Sequence, residues 1–441
     1  MNVVERHLRV AAQKTGVMRH LRALRGHGLR AIRSSRSYFG GSHNRGGETL
    51  PSRLYRLAVE GLPTWFGYYD KTPFSGDDNK ILAMVLTYPK DWSQKAARFP
   101  VRLGWFDWPS VVSGKAEFRQ FGETASWSWQ QGCMLQWFPK DADRLVLYNQ
   151  FVEGRCGCVV QDVFTGDVER SYDLPIYAID PAGRLGVTLN FSRLERLRPG
   201  YGYANLPDET AEEACPERDG IWRVDLETGG RELLLSMRQI AGFQPLPSMA
   251  GSPHYVNHLL FSPNGRRVVF LHLWIPERGR QNRLMLYDFD DGSLQVVDDA
   301  AIASHFCWLD DARLVCFRYP HHGRPGYVMY TLASAGGVSH CVPLPGMADL
   351  SDGHPSVSVS TGWLVTDTYP DKTGDQAIHV YSIEENTLRT VGRFFSPFRY
   401  QGPRRCDLHP RWDRAGKRIC FDSTRMGRRS ILVAAIDIPR V

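Results

Sequence analysis

The feature that most constrains the fold of this chain is a unit of four short apolar segments that recurs along the sequence. Its clearest copy reads HLLFSPNGRRVVFLHLW and then NRLMLYDFDDGSLQVV, within residues 258–297. Each half contains two β-type segments joined by a tight turn, Pro-Asn-Gly in the first half and Asp-Gly in the second. A repeat of four short antiparallel strands is typical of one blade of a β-propeller.

Seven copies of this unit can be aligned from about residue 52 onward, and the seventh copy is one strand short. The segment RLYRLAV, residues 53–59, can supply the missing strand from the other end of the chain. Such closure removes exposed sheet edges. We therefore predict an all-β, seven-bladed β-propeller over residues 51–441, with six blades, eight blades or an open sandwich as the alternatives. The sequence has no periodic Gly-His…Trp-Asp pattern, so it lacks the structural histidine of WD40 propellers.

Residues 1–50 form a separate basic arm and linker in this interpretation. They carry ten basic and two acidic side chains, a net charge of +8, which leaves −1 for the rest of a chain whose net charge is +7. A nucleic-acid function for the whole protein therefore loses its main support. Apolar residues at helical spacing, interrupted by glycines, predict a short, partly helical arm. One expectation is that residues 1–36 contact an anionic membrane surface or a partner protein. The alternative is that the arm is a poorly ordered, solvated extension.

The cysteine content and the hydropathy pattern bear on the compartment. The nine cysteines are an odd number and are scattered, which is typical of small apolar core residues in a reducing environment. No apolar run reaches the roughly 18 residues of a membrane span, and no secretory signal is evident. We expect a cytoplasmic protein, with membrane association through the arm left open.

A histidine occupies the same place in four consecutive repeats, before the turn that follows the innermost strand. These residues are His258, His305, His354 and His409, and the equivalent residue of the first repeat is Lys71. The innermost strand of each blade lines the central channel of a propeller. The shared register therefore predicts a ring of imidazoles at one mouth of the channel.

Two interpretations of this ring are open. A single histidine at the start of a strand usually bonds a neighbouring carbonyl group and is structural. Four in register favour a functional cluster that shares a metal ion or supplies a general base of lowered pKa. His254 precedes His258 by four residues and is a candidate to join the cluster.

Other residue types converge on the same predicted mouth. Asp352 and Asp407 each precede a histidine by two residues and either orient the imidazoles or cap their own loops. The remaining candidates are arginines, amides and a tyrosine, namely Arg404, Arg405, Arg411, Asn257, Gln131 and Tyr69. Clustered arginines fit recognition of a carboxylate or a sulfate, and aromatic rings fit stacking on sugars. The alternatives are solvated arginines and ordinary aromatic packing between blades.

Several stretches resemble the bacterial propellers of the TolB-like and oligogalacturonate lyase group. They are LFSPNGRRVVF, SHFCWLDDARLVCF, GHPSVSVSTGWLVTDTYPD and DLHPRWDRAGKRICFDSTRMGRRSILVAAID. The resemblance covers residues 250–441 well and the first three repeats weakly. It implies β-elimination of uronate-containing sugars with a divalent metal, typically manganese, bound by histidine and glutamine, together with a histidine base and an arginine.

By position, the resemblance makes His258 the base and His305 and His409 metal ligands. The sequence departs from the family pattern beside His409, because Asp407 stands where the family has a second histidine. The expected glutamine is also not in place, and Gln401 lies eight residues before His409.

The predicted function is a lyase that cleaves an anionic, uronate-containing oligo- or polysaccharide. Removal of the C5 proton requires a neutralised carboxylate and a base of near-neutral pKa. We assign the catalytic roles to His258, Arg405, Lys71 and Tyr69. The metal ligands are assigned to His305, His354 and His409, with manganese as the candidate ion. Substrate contacts are assigned to His254, Asn257, Gln131, Arg404, Arg411, Asp352 and Asp407. The alternatives are a non-catalytic glycan-binding or scaffold propeller for envelope polysaccharides and a glycoside hydrolase that uses Asp352 and Asp407.

Overall fold

The computed structural model describes residues 51–87, 99–333 and 337–438, and these residues form seven antiparallel sheets of four strands each. The first three blades comprise β2 (Thr64–Trp65), β3 (Lys80–Leu86), β4 (Val101–Asp107) and β5 (Phe118–Thr124); β6 (Gln136–Trp137), β7 (Leu145–Val152), β8 (Arg155–Asp162) and β9 (Val168–Tyr172); and β10 (Ala178–Ile179), β11 (Leu185–Thr188), β12 (Gly220–Asp225) and β13 (Arg231–Ser236).

Blades four to six continue in the same order. They comprise β14 (His254–Phe261), β15 (Arg267–Trp274), β16 (Gln281–Asp288) and β17 (Leu294–Asp298); β18 (Ala301–Trp308), β19 (Arg313–Pro320), β20 (Gly326–Leu332) and β21 (Val338–Pro343); and β22 (Ser356–Val357), β23 (Trp363–Asp367), β24 (Asp375–Ser382) and β25 (Thr387–Phe395). The seven-bladed propeller is confirmed, and the six-bladed, eight-bladed and open-sandwich alternatives are wrong.

The seventh blade combines both ends of the described chain. It contains β26 (Arg411–Trp412), β27 (Arg418–Ser423), β28 (Ser430–Ile436) and, as its outer strand, β1 (Pro51–Leu57). Strand β1 runs antiparallel to β28, with Leu57 opposite Ile431. The predicted closure is therefore confirmed. The predicted basic arm, residues 1–50, lies outside the described residues.

The blades follow from two local signals, turn glycines and alternating apolar residues. Gly265 and Gly416 occupy equivalent turns with φ of +73° and +67°, where side chains are strained. A Cβ on Gly416 would also lie 2.5 Å from the Thr361 side chain of the neighbouring blade. Apolar side chains fill the spaces between blades, as where the Phe394 and Phe421 rings pack 4.6 Å apart. Each fully buried side chain of this size contributes about 1.5–3 kcal/mol.

Within residues 51–87, 99–333 and 337–438, three short α-helices interrupt the strands: α1 (Trp108–Val112), α2 (Phe191–Leu197) and α3 (Met237–Gly242). Helix α2 belongs to an insertion between β11 and β12 of the third blade. Arg193 of α2 anchors this insertion, because its guanidinium donates hydrogen bonds to the carbonyl oxygens of His254, Glu213 and Ala214 at 2.7–2.9 Å. Among the described residues, no helix is long and apolar enough to cross a membrane.

Candidate functional site

The four predicted histidines meet at the centre of the propeller. The rings of His305 and His354 lie 4.1 Å apart, those of His354 and His409 4.3 Å, and those of His258 and His305 5.7 Å. All four side chains are buried. The shared register in the repeats therefore does bring these imidazoles together.

Local backbone distortions direct these side chains inward. His258 and His409 have left-handed φ angles of 56° and 46°, and Met134, the aligned residue of the second blade, has 59°. Strand pairing is irregular between Asn257 and Leu260, around His258. An equivalent irregularity surrounds His305 in the next blade. Bulges of this kind re-aim a side chain and recur beside functional sites.

Hydrogen bonds hold three of the imidazoles in one orientation. Nδ1 of His354 lies 2.8 Å from Asp367 Oδ1, Nδ1 of His305 lies 3.2 Å from Asp352 Oδ1, and Nδ1 of His409 lies 2.9 Å from the Gly67 carbonyl oxygen. Because these partners are acceptors, each Nδ1 carries the proton, and in the neutral form of the ring each Nε2 presents a lone pair. The three Nε2 atoms are buried and have no hydrogen-bond partner in the described part of the chain.

The charges around the ring keep most of it neutral. Burial lowers the pKa of His258 and His409 far below the usual value, and nearby cations and imidazoles lower it further. Burial also lowers the pKa of His305, to about 4, against the opposing effect of Asp352. His354 differs: burial lowers its pKa, but the carboxylates of Asp367, Asp407 and Asp352 together outweigh burial, so the net pKa is raised. Neutral imidazoles with free Nε2 atoms are the form that binds metal ions.

The residues present fit a divalent metal ion. Ligand atoms of His354, Asp407 and His409 all lie within 4.8 Å of one another, and the ring of His305 adjoins that of His354. Asp407 Oδ2 accepts a hydrogen bond from Arg405 Nε at 2.7 Å, while Asp407 Oδ1 is buried and no described residue donates a hydrogen bond to it. Partner carboxylates on metal-binding histidines, as Asp367 and Asp352 provide here, are the usual support of such sites. This cluster is a candidate metal site.

Tyr68 lies inside the ring, although the sequence suggested only aromatic stacking at the mouth for it and no place among the site residues. Its hydroxyl lies 3.1 Å from His258 Nε2, and its ring centroid lies 4.9 Å from both His258 and His409. Its neighbour Tyr69, which we predicted as catalytic, uses its hydroxyl differently. The Tyr69 hydroxyl donates to the Phe306 carbonyl oxygen at 3.0 Å and accepts from the Phe306 amide at 3.1 Å, which occupies it with strand β18.

A cavity of about 360 Å³ opens beside the ring and reaches His305 and Asp352. Arg198, from the insertion that follows α2, and Tyr369 also line this cavity. The Tyr369 ring lies 5.4 Å from His354 and separates the ring of histidines from the cavity on that side. Arg198 and Tyr369 belong to no repeated position, so periodicity carried no signal for them.

An arginine–tyrosine cluster borders this cavity. The Tyr201 hydroxyl accepts hydrogen bonds from Arg198 Nη2, at 3.0 Å, and from Arg405 Nη2. Burial raises the pKa of Tyr201, but the two guanidinium groups outweigh it and the net pKa is lowered. Arg405 also lies over the Tyr369 ring, 5.8 Å from its centroid. The structure thus places the predicted Arg405 beside Asp407 and the cavity.

His254 differs from the prediction, because it does not join the ring. Arg283 Nε donates to His272 Nδ1 at 3.1 Å, His272 Nε2 lies 2.8 Å from His254 Nδ1, and His254 Nε2 lies 3.1 Å from the Met249 carbonyl oxygen. Both ring nitrogens of His254 are therefore used inside the fourth blade. Four residues along a strand carry a side chain to another part of the sheet, unlike four residues along a helix.

Lys71 and Arg411 also differ from their predicted roles. The Lys71 ammonium pairs with Asp70 at 2.9 Å on the opposite side of the ring from the 360 Å³ cavity. Arg411 is 1% exposed, donates to the carbonyl oxygens of Gly67 and Tyr68, and pairs with Asp422 at 3.2 Å. Arg411 therefore holds the segment that carries Tyr68, and it does not line the 360 Å³ cavity.

The remaining predicted residues lie around the ring in supporting positions. Gln131 Nε2 donates to Asn257 Oδ1 at 3.1 Å, and both side chains are buried beside Tyr177. Asp352 accepts hydrogen bonds from Ser304 and from Tyr319 in addition to its contact with His305. Arg404 is half-buried in the turn before Arg405.

Comparisons with solved structures agree with this architecture. A structure described as oligogalacturonate lyase in complex with manganese superposes with a TM-score of 0.64 and 16% identity, over 90% of this chain and 96% of that chain. The oligogalacturonate lyase from Vibrio parahaemolyticus gives a TM-score of 0.58 and 14% identity, over 89% of this chain and 97% of that chain. This chain has the fold of oligogalacturonate lyase.

The likeness to oligogalacturonate lyase is one of fold. Sqt1 from Chaetomium thermophilum, solved bound to the N-terminus of the ribosomal protein L10, reaches a TM-score of 0.50 at 11% identity, over 88% of this chain and 100% of that chain. Comparison of the sequence with protein-family models and with curated proteins gives no match. Because one propeller fold supports unrelated functions, the function must be inferred from the residues of the candidate site.

Proposed function

We propose that this protein is a lyase that cleaves a uronate-containing oligo- or polysaccharide by β-elimination. The observation that carries the proposal is a set of three buried Nε2 atoms, on His305, His354 and His409, that have no hydrogen-bond partner among the described residues. They lie next to a cavity lined by arginines. Metal-binding imidazoles beside a guanidinium group suit a substrate whose carboxylate must be neutralised before it loses a proton.

Arg198 is the residue we assign to substrate binding. It lines the cavity, and a planar guanidinium group pairs well with a carboxylate. Arg280 and Asn282 lie on the wall of the same cavity and supply further donors. The cavity volume of about 360 Å³ accommodates a short oligosaccharide end rather than a long glycan segment. The proposed partner is thus an anionic glycan.

In the proposed reaction, the C5–H bond of the uronate breaks and His258 receives the proton. The electron pair forms a double bond between C4 and C5, the bond from C4 to the glycosidic oxygen breaks, and this oxygen takes a proton from water. The imidazole of His258 is neutral at pH 7, because burial lowers its pKa. In this proposal the Tyr68 hydroxyl, 3.1 Å from His258 Nε2, would pass the proton to it.

His305, His354, His409 and Asp407 are the residues that would hold a divalent ion, for which we propose manganese. When bound, such an ion supplies positive charge that stabilises the negative charge developing on the substrate carboxylate. Asp367, Asp352 and the Gly67 carbonyl oxygen keep the imidazoles in the binding tautomer.

The hydrolase alternative is weaker on this geometry. A hydrolase requires one carboxylic acid that stays protonated to donate to the leaving oxygen. Burial raises the pKa of Asp352, but His305 and hydrogen bonds outweigh it and lower the net pKa. Asp407 is paired with Arg405. Neither carboxylate is arranged as a proton donor.

The direct test is the ultraviolet absorbance of the unsaturated product, measured with a panel of uronate oligosaccharides, with and without manganese. We expect activity that chelation removes and that His258→Ala and His409→Ala abolish. His379→Ala is the matched control, because His379 is buried in the sixth blade and bonds Thr390 rather than the ring. Binding of these sugars without any unsaturated product would support the glycan-binding alternative and refute the lyase.

A further inference from the structure

A second cavity lies at the other end of the central channel. It has a volume of about 520 Å³, and it is bordered by the inner strands of blades two to seven and by residues 69–72, which follow the inner strand of blade one. It shares no lining residue with the 360 Å³ cavity, and none of the four ring histidines lines it. Tyr69 separates the two regions, because it lines this cavity while its ring lies 5.3 Å from that of His354. Nothing in the proposed lyase reaction uses this space.

The walls of the second cavity are aromatic. Trp137, Phe261, Trp308 and Trp412 come from four different blades. The indole N–H of Trp137 donates to the Pro73 carbonyl oxygen at 2.9 Å, and that of Trp308 is bonded to a backbone carbonyl of the fourth blade at 3.3 Å. Only carbon atoms of these two rings are left for a ligand, so they provide an apolar surface of fixed orientation.

The inner end of the second cavity is polar. Asp70 and Lys71 form an ion pair there, with side chains 5% and 9% exposed. The Lys71 ammonium has three N–H donors, but its described partners are Asp70 and the ring of Tyr177, 4.9 Å from its centroid. Asp70 Oδ1 and Trp412 Nε1 are buried with no partner among the described residues. Buried polar groups left in this state favour a ligand that completes their hydrogen bonds.

The charges of this cavity balance. Asp70 neutralises Lys71, Arg411 is paired with Asp422, and the remaining charged lining residues, Asp180 and Arg414, carry opposite charges. A charged ligand would have to break the Asp70–Lys71 pair in a buried site, which is costly. A neutral molecule with several hydroxyl groups can accept from Lys71 and donate to Asp70 without breaking their contact.

We propose that the second cavity binds one neutral sugar ring, stacked on the tryptophan wall with its hydroxyl groups on Asp70 and Lys71. A sugar ring has the same two-sided character as the cavity, with apolar C–H faces and polar hydroxyl groups at its edge. Sites of this type are concave, mostly apolar and equipped with few polar groups. The proposal does not depend on the lyase reaction, because the two cavities are separate.

The test uses ligand-observed saturation-transfer NMR and calorimetry on the full chain, with D-glucose, D-galactose and D-mannose as probes. We expect at least one sugar to bind, and Lys71→Met to weaken binding about tenfold through loss of a charged donor. Trp412→Phe, which removes only the indole N–H and part of the ring, should weaken it as well. Lys140→Met is the matched control, because Lys140 forms a half-exposed ion pair with Glu227 at 2.7 Å.

Three results would overturn the proposal. The first is that none of the three sugars binds. The second is that binding is unchanged in both Lys71→Met and Trp412→Phe while thermal unfolding shows that the variants are folded. The third is that binding is lost in His305→Ala and kept in Lys71→Met, which would place the sugar in the 360 Å³ cavity. A variant with sugar binding lost and lyase activity kept would separate the two sites.

Discussion

The carboxylate of Asp367 is the group whose conservative replacement should affect metal binding most clearly. Its Oδ1 accepts from His354 N at 2.7 Å and lies 2.8 Å from His354 Nδ1, and its Oδ2 accepts from His409 N at 3.0 Å. In Asp367→Asn the amide oxygen can replace Oδ1, but the amide NH₂ then faces the N–H of His409. One buried N–H loses its acceptor, so the free energy of unfolding should fall by about 1–3 kcal/mol.

The same change should weaken Mn²⁺ binding by about 10- to 100-fold, because a neutral acceptor makes His354 Nε2 a weaker ligand. Affinity is measured by competition with a chromophoric chelator, and stability by urea unfolding of the metal-free protein. The matched control is Asp413→Asn: Asp413 is also buried and accepts the amide N–H groups of Lys417 and Arg418 at 2.7 and 3.0 Å. The control should lose stability and keep its affinity. Equal Mn²⁺ affinity in both variants and the wild type would refute the orienting role of Asp367.

Three further predictions concern stability. Burial, with a smaller effect of Arg393, lowers the pKa of His379 from 6.5 to about 4. The contribution of the neutral imidazole to the free energy of unfolding is therefore complete above pH 6.5 and is lost as the pH falls toward 4. His379→Gln should reduce the loss of stability between these two pH values by about 3 kcal/mol, measured by unfolding at each pH. His258→Gly should be more stable than His258→Ala by about 1 kcal/mol in urea unfolding, because the left-handed φ of 56° at this position strains any residue with a Cβ. Equal stabilities of the two variants would show that the backbone is not strained at residue 258. Deletion of residues 1–57 removes β1, exposes the edge of β28 and should cause aggregation, measured by light scattering. Deletion of residues 1–50 keeps β1 and should not cause aggregation. Identical behaviour of the two truncations would argue against closure by β1.

The fold was predictable because its signals are local and repeated. A turn glycine such as Gly416 and the alternating residues around it specify a hairpin without help from distant parts of the chain. The missing strand in the last repeat was enough to predict that β1 completes the seventh blade. The histidine register follows from the same repeat, since equivalent residues of successive blades occupy one depth in the channel.

The candidate site was predictable only in part. His254 lies away from the ring because four residues along an extended strand, unlike four along a helix, carry a side chain to another part of the sheet. Lys71 occupies the expected place in the repeat, but its pairing with Asp70 directs it to the other cavity. Arg198 and Tyr201 come from an insertion that has no counterpart in the other repeats, so alignment of the repeats carried no information about them.

The sequence by itself determined the closed ring of seven blades and the presence of four histidines at one depth, because both depend on short-range patterns that recur. The tertiary structure alone decided the chemistry of these histidines. The partners that set their tautomers, such as Asp367 for His354 and Gly67 for His409, come from other strands or from the opposite end of the chain. Proton position depends on contacts of this kind, and they exist only once the blades have closed around the channel.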